Sequence, residues 1–199
     1  MKDILQKQIL QIKSIYPVSA VILVGSVVDV WQGEKDNTKL NDIDLFILTN
    51  RIGVFEREIK EEQGFKWDIS YIPINVLTKG LEEKWSFLVC SLVKGQVIEC
   101  CNANILELLE KAKLIFEQGP KELSPVEIRY IRFNLYDRLQ DIQNRKNDEV
   151  AAKFLVYALL KDVLIEYFRL NNRWLPKDKK FLGMLKEEDK DLYRKCIQL

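Results

Sequence analysis

A chain that carries the stretch from Val21 to Leu48, VILVGSVVDVWQGEKDNTKLNDIDLFIL, has few ways to fold it. Val21 to Val24 is a β-branched and aliphatic run bounded by Gly25, the mark of a short buried strand. Asp42-Ile43-Asp44 leads straight into a second apolar run, so a second strand starts with two carboxylates. Side chains alternate faces along a strand, which puts Asp42 and Asp44 on one side about 6–7 Å apart. Gly25 allows a sharp turn and a close ligand approach, and Ser26 offers a hydroxyl and a backbone N–H where a short helix could start. This is a candidate phosphate seat beside two hard oxygen ligands of the kind Mg²⁺ takes.

A third carboxylate follows in Lys66-Trp67-Asp68-Ile69-Ser70-Tyr71-Ile72, a strand-like segment with Asp68 at its middle. A carboxylate set among large apolar residues must face water, a partner or a metal. Taken alone, Gly25-Ser26 reads as a turn, and Asp42-Ile43-Asp44 as a solvated strand edge or a helix cap. In this order the three elements resemble the nucleotidyltransferases of the DNA polymerase β superfamily, and the resemblance covers about the first half of the chain.

The resemblance implies that Asp42, Asp44 and Asp68 are both catalytic and metal-binding, holding two Mg²⁺ ions, and that Gly25 and Ser26 bind the phosphates of ATP or another nucleoside triphosphate. The implied reaction moves a nucleoside monophosphate, AMP by family precedent, onto a hydroxyl of a small-molecule acceptor and releases pyrophosphate. Two departures stand out. Fifteen residues lie between Ser26 and Asp42, with the surplus in a polar Gln32 to Lys39 segment that reads as a loop insertion. Val27-Val28-Asp29 follows Gly25-Ser26 where many relatives carry a basic residue for the triphosphate.

Composition narrows the alternatives. The chain contains no histidine, which removes hydrolases with a His base, HExxH zinc enzymes and most His-ligated metal sites. Cys90, Cys100, Cys101 and Cys196 show no metal-ligand or disulfide spacing and read as reduced thiols. With 31 basic against 30 acidic residues there is no overall field to gather nucleic acid, and no basic, aromatic-interleaved stripe supports a polymerase. Neither a membrane span nor a signal peptide is evident, so the expected location is the cytoplasm.

The rest of the chain supplies the frame. Leu5, Ile9, Ile12 and Tyr16 are spaced for an amphipathic first helix, Val54 to Glu62 reads as a short charged helix capped at Gly64, and Asn75 to Leu92 reads as one long helix. A brief strand at Val97-Ile98 and a helix over Asn104 to Phe116 precede Gln118-Gly119-Pro120, the best boundary in the chain. Ser124-Pro125-Val126-Glu127 is a capping-box start for a helix to Asn144. A helix from Asp148 to Leu170, apolar over more than one stripe, should be the centre of a bundle closed by residues up to Gln198.

The expected architecture is α+β, a mixed sheet with flanking helices over 1–118 forming the catalytic domain. An all-α bundle over 121–199 follows and, as in the antibiotic (aminoglycoside and lincosamide) nucleotidyltransferases that the chain resembles, would form the acceptor side. Glu127, Asp137 and Asp141 are candidates for a general base there, although solvated helix charges are the favoured reading. The Lys177-Asp178-Lys179-Lys180 cluster likewise reads as a solvated turn before a phosphate contact. Homodimerisation is left open by the resemblance. The alternative function is that of a nucleotidyltransferase-like antitoxin or protein-binding partner, which modifies or neutralises another protein.

Overall fold

The computed structural model describes residues 2–33, 42–50, 53–145 and 147–198. The chain divides into two compact units, Met1–Gln118 and Gly119–Leu199. In the first, α1 (Lys2–Ile15) leads into β1 (Val18–Val24), a five-residue α2 (Val27–Trp31) and β2 (Asp42–Thr49). Then come β3 (Glu56–Glu62), β4 (Phe65–Pro73), α3 (Ile74–Glu82), α4 (Ser86–Val93), β5 (Gln96–Cys100) and α5 (Ala103–Gln118). Most of the loop insertion read over Gln32 to Lys39 lies outside the described residues.

The five strands form one open mixed sheet in the order β3-β4-β2-β1-β5. β2 and β4 run parallel, and every other neighbouring pair is antiparallel. Strand alternation sorts the side chains. One face carries Val21, Leu23, Ile43, Leu45, Ile47, Trp67 and Ile69, which join Leu5, Ile9 and Ile12 of α1 in a core cluster. The opposite face carries Ile22, Phe46, Leu48 and Ile72, all buried, and α3, α4 and α5 contact strands of the sheet. This second face also carries the polar residues of interest, because Asp44 and Asp68 alternate with core-facing neighbours.

Two sequence-based expectations are corrected here. The segment expected as a helix from Val54 to Glu62 is the edge strand β3, hydrogen-bonded along its length to β4. Gln63 (φ 55°) and Gly64 (φ 79°) both take left-handed backbone conformations, as the two-residue loop of a type I′ hairpin requires. Gly64 thus turns a hairpin instead of capping a helix. Charged side chains along β3 are compatible with an edge position, where they discourage pairing with another chain.

The single helix expected over Asn75 to Leu92 is broken into α3 and α4. Lys84 takes φ 54° and the Trp85 N–H donates to the Gly80 carbonyl at 2.8 Å. The chain can fold back because Gly80 has no side chain, since a Cβ there would lie 2.3 Å from Leu88 Cδ1.

The second unit is all helical, with α6 (Pro125–Asn144), α7 (Glu149–Leu170), a 3₁₀ turn at Asp178–Lys180, α8 (Phe181–Glu188) and α9 (Lys190–Ile197). The α6 start has a complete capping box. The Glu127 N–H donates to Ser124 Oγ, and the Glu127 carboxylate accepts from the Ser124 N–H at 2.8 Å. α7 is central only in its C-terminal half, where Leu164 and Phe168 pack with Phe181, Leu185 and Cys196. Val150, Phe154 and Tyr157 continue the same heptad-spaced stripe but are exposed.

The capping box predicts a pH effect. Backbone and hydroxyl hydrogen bonds from Ser124 hold the Glu127 carboxyl below its ordinary value. A carboxylate whose folded value is depressed stabilises fully above the ordinary glutamate range and loses that contribution as pH falls through its folded value. The melting-temperature difference between wild type and Glu127→Gln should therefore be larger at pH 7 than at pH 3.

Candidate functional site

β1 ends at Val24 opposite Asp44, and Asp44 in turn lies beside Asp68 in the parallel β2–β4 register. Neighbouring strands run about 4.8 Å apart. The two aspartates are therefore adjacent on one face, each intermediate in burial. Gly25 completes this corner with φ 78°. A Cβ built on Gly25 would lie 2.2 Å from Asp44 Oδ2 and 3.0 Å from its Cγ, so the carboxylate fills the space a side chain would need. The Gly25-Ser26 turn and the Asp44 carboxylate, separate in sequence, are thereby in contact.

Ser26 forms the N-cap of α2 without a side-chain cap bond. α2 has only five residues, too few for a strong helix dipole. What the turn offers an anion is the exposed Ser26, since the space left by the missing Gly25 side chain is filled by Asp44.

Asp42 stands apart. It shares the face of Asp44 two residues earlier, but it is exposed and lies opposite Lys66. Among the described residues no group of three or more His, Cys, Asp or Glu side chains is gathered closely enough to hold a metal. Thus the fold brings Asp44 and Asp68 together and leaves Asp42 at the rim. An open depression of about 450 Å³ takes in Asp42 with Glu61, Glu62, Gln63, Gly64, Phe65 and Lys66, but neither Asp44 nor Asp68. Three carboxylates against one lysine make that depression a poor phosphate site.

The sequence reading missed a fourth charged group. Arg57 of β3 lies on the same face and grips Asp68 with two prongs, Nε donating to Oδ1 at 2.7 Å and Nη2 donating to Oδ2. The hydrogen bond to Asp68 raises the guanidinium pKa further above its ordinary value, and the charges of Asp68 and Asp44 add to the effect. A basic residue within a helix pointed nowhere in particular. Reading Gln63-Gly64 as a hairpin turn would have aligned Arg57 with Ser70 and its guanidinium with Asp68.

Mg²⁺ commonly takes one or two carboxylates, with water and phosphate oxygens completing its shell. Adjacent Asp44 and Asp68 beside an open backbone turn fit that demand, and Asp42 is near enough along β2 to add a ligand through water.

The sequence matches no protein-family model and no curated protein. Among solved structures it resembles a nucleotidyltransferase-like protein from Exiguobacterium sibiricum 255-15, with a TM-score of 0.52 and 14% identity. The likeness covers 96% of this chain and 64% of that one, so this chain spans less than two thirds of its structural neighbour.

The fold is nucleotidyltransferase-like. Within the nucleotidyltransferase-like fold of this chain, the first unit holds Asp44, Asp68 and Arg57 on a single sheet face, with Gly25 in the turn that follows β1.

Replacing Gly25 tests the corner directly. Gly25→Ala should lower stability by about 1–2 kcal/mol for the left-handed backbone alone, with the clash against Asp44 added. Urea denaturation measures this, and a Gly53→Ala control, with nothing within 4 Å of its Cβ, should be close to neutral.

Proposed function

We propose that this chain is a metal-dependent nucleotidyltransferase that transfers a nucleoside monophosphate, AMP from ATP, to a hydroxyl of a small-molecule acceptor. The observation that carries this reading is the contact between the Gly25 turn and Asp44, with Asp68 alongside. A phosphate seat and a pair of hard oxygen ligands occupy one corner of the sheet.

Asp44 and Asp68, joined by Asp42 from the rim, would hold Mg²⁺. When bound, it would supply Lewis-acid stabilisation of charge on the phosphates and a lowered pKa for the acceptor hydroxyl. The chain's own residues would position the substrate. Gly25 lets the Asp44 carboxylate sit against the turn, and the Ser26 hydroxyl and N–H can donate to the oxygens of a triphosphate. With Arg57 counted, the two carboxylates leave an excess of negative charge at the corner, which disfavours a bare polyanion and favours one accompanied by a cation. Nucleotide binding should therefore depend on the metal.

One observation favours a second reading, in which the chain modifies or neutralises another protein. The helical unit exposes Val126, Tyr130, Phe133 and Tyr136 on α6, and Val150, Phe154 and Tyr157 on α7. Contiguous aromatic and aliphatic exposure of this kind marks protein-facing surfaces. The two readings differ in what the carboxylates do, since complex formation with a protein partner through these helices would survive loss of Asp44.

Calorimetric titration with ATP, GTP, CTP and UTP, with and without Mg²⁺, tests the first reading. At least one nucleotide should bind only with Mg²⁺, and Asp44→Asn should weaken it by about tenfold or more, equivalent to about 1.4 kcal/mol. Equal binding by wild type and Asp44→Asn, with the fold intact, would contradict it.

A further inference from the structure

Arg57 reaches Asp68 from an edge strand. Its side chain is 55% exposed, while that of Asp68 is 18% exposed. The guanidinium therefore lies over a mostly buried carboxylate from the solvent side, and both Asp68 oxygens accept an N–H from it. A carboxylate held in this two-pronged way has committed its best-directed lone pairs. Asp68 nevertheless stands beside Asp44, where a divalent cation would need those same oxygens. Two cations, one fixed to the chain and one diffusible, thus compete for one carboxylate.

The competition is resolvable because the fixed cation is accessible. A half-exposed guanidinium is readily rehydrated, and it sits on a long side chain able to swing. Its planar fork suits phosphate as well as carboxylate. The Gly25-Ser26 turn is followed by Val27, Val28 and Asp29, so the adjacent residues supply no cation for a polyphosphate.

We infer that Arg57 is an exchangeable counter-ion, which occupies Asp68 until a metal-bound polyphosphate arrives, then gives up the carboxylate and takes phosphate oxygens. This inference rests on the nucleotidyl-transfer reading of the same site. No covalent step is involved; one ion pair opens and another forms. The arrangement disfavours metal alone and favours metal with nucleotide. Arg57 is thus a positioning residue whose loss has opposite effects on the two ligands.

The opposite signs are what a merely structural role would not produce. Mn²⁺ binding is measured by electron paramagnetic resonance without nucleotide, and Mg²⁺·ATP binding by calorimetry, on wild type, Arg57→Ala and Arg57→Lys. Circular dichroism and melting confirm each fold. Arg57→Ala should bind Mn²⁺ about fivefold or more tightly and Mg²⁺·ATP about tenfold more weakly than wild type, within the usual range of coupling between sites. Arg57→Lys, whose compact ammonium cannot span both oxygens, should shift Mn²⁺ binding in the same direction by less.

Mn²⁺ affinity unchanged or weakened in both variants would overturn the exchange while leaving the nucleotide site standing. Failure of wild type and both variants to bind either Mn²⁺ or Mg²⁺·ATP would overturn the nucleotidyl-transfer reading on which it rests.

Discussion

The parallel register between β2 and β4 is the constraint on which the rest of the site depends. It sets Asp44 beside Asp68 while Ile43 meets Trp67 and Leu45 meets Ile69 on the other face. Those four apolar residues are essentially fully buried in the cluster with α1. Slipping either strand by one residue would turn its carboxylate toward that core and its core residues to the opposite face. Burying an unpaired carboxylate is far more costly than losing one apolar contact, so the packing behind the sheet enforces the placement of charge in front of it. The energy that stabilises the unit and the geometry that creates the site come from the same strand residues.

Much of this was legible in the residues themselves. The β-branched run before Gly25, the alternation around Asp68 and the capping box at Ser124 each rest on a local rule, and each corresponds to an observed element. What was not legible depended on pairing between distant segments. β3 has the charge of a solvated helix, and only its ladder with β4 and the left-handed Gln63 and Gly64 make it a strand. Arg57 was overlooked for that reason. The break between α3 and α4 follows from Gly80 meeting Leu88 and Trp85, a packing fact with no periodic signature. The sequence spacing likewise treats Asp42 and Asp44 as a pair, whereas the sheet makes Asp44 and Asp68 the closer partners across strands.

Charge placement links the fold to the proposed chemistry. The chain as a whole is nearly neutral, yet one part of the sheet face places Asp44, Asp68 and Arg57 together beside the Gly25 turn. Asp68 without a cation would be a poorly solvated anion beside Asp44, and Arg57 provides compensation from a strand that also shields the sheet edge. An edge strand is the least tightly held part of a sheet, since it is paired on one side only. A counter-ion carried there can move without disturbing the central strands β2 and β1.

In the proposed function, Gly25, Asp44 and Asp68 form one metal–nucleotide corner. Paramagnetic broadening of backbone amide signals on addition of trace Mn²⁺ with ATP locates such a corner without relying on turnover. On this reading the amides of Gly25, Ser26, Asp44 and Asp68 broaden first, and those of α1, packed on the opposite face of the sheet, broaden less. Broadening centred on another set of carboxylates, with Asp44 and Asp68 sharp, would contradict it.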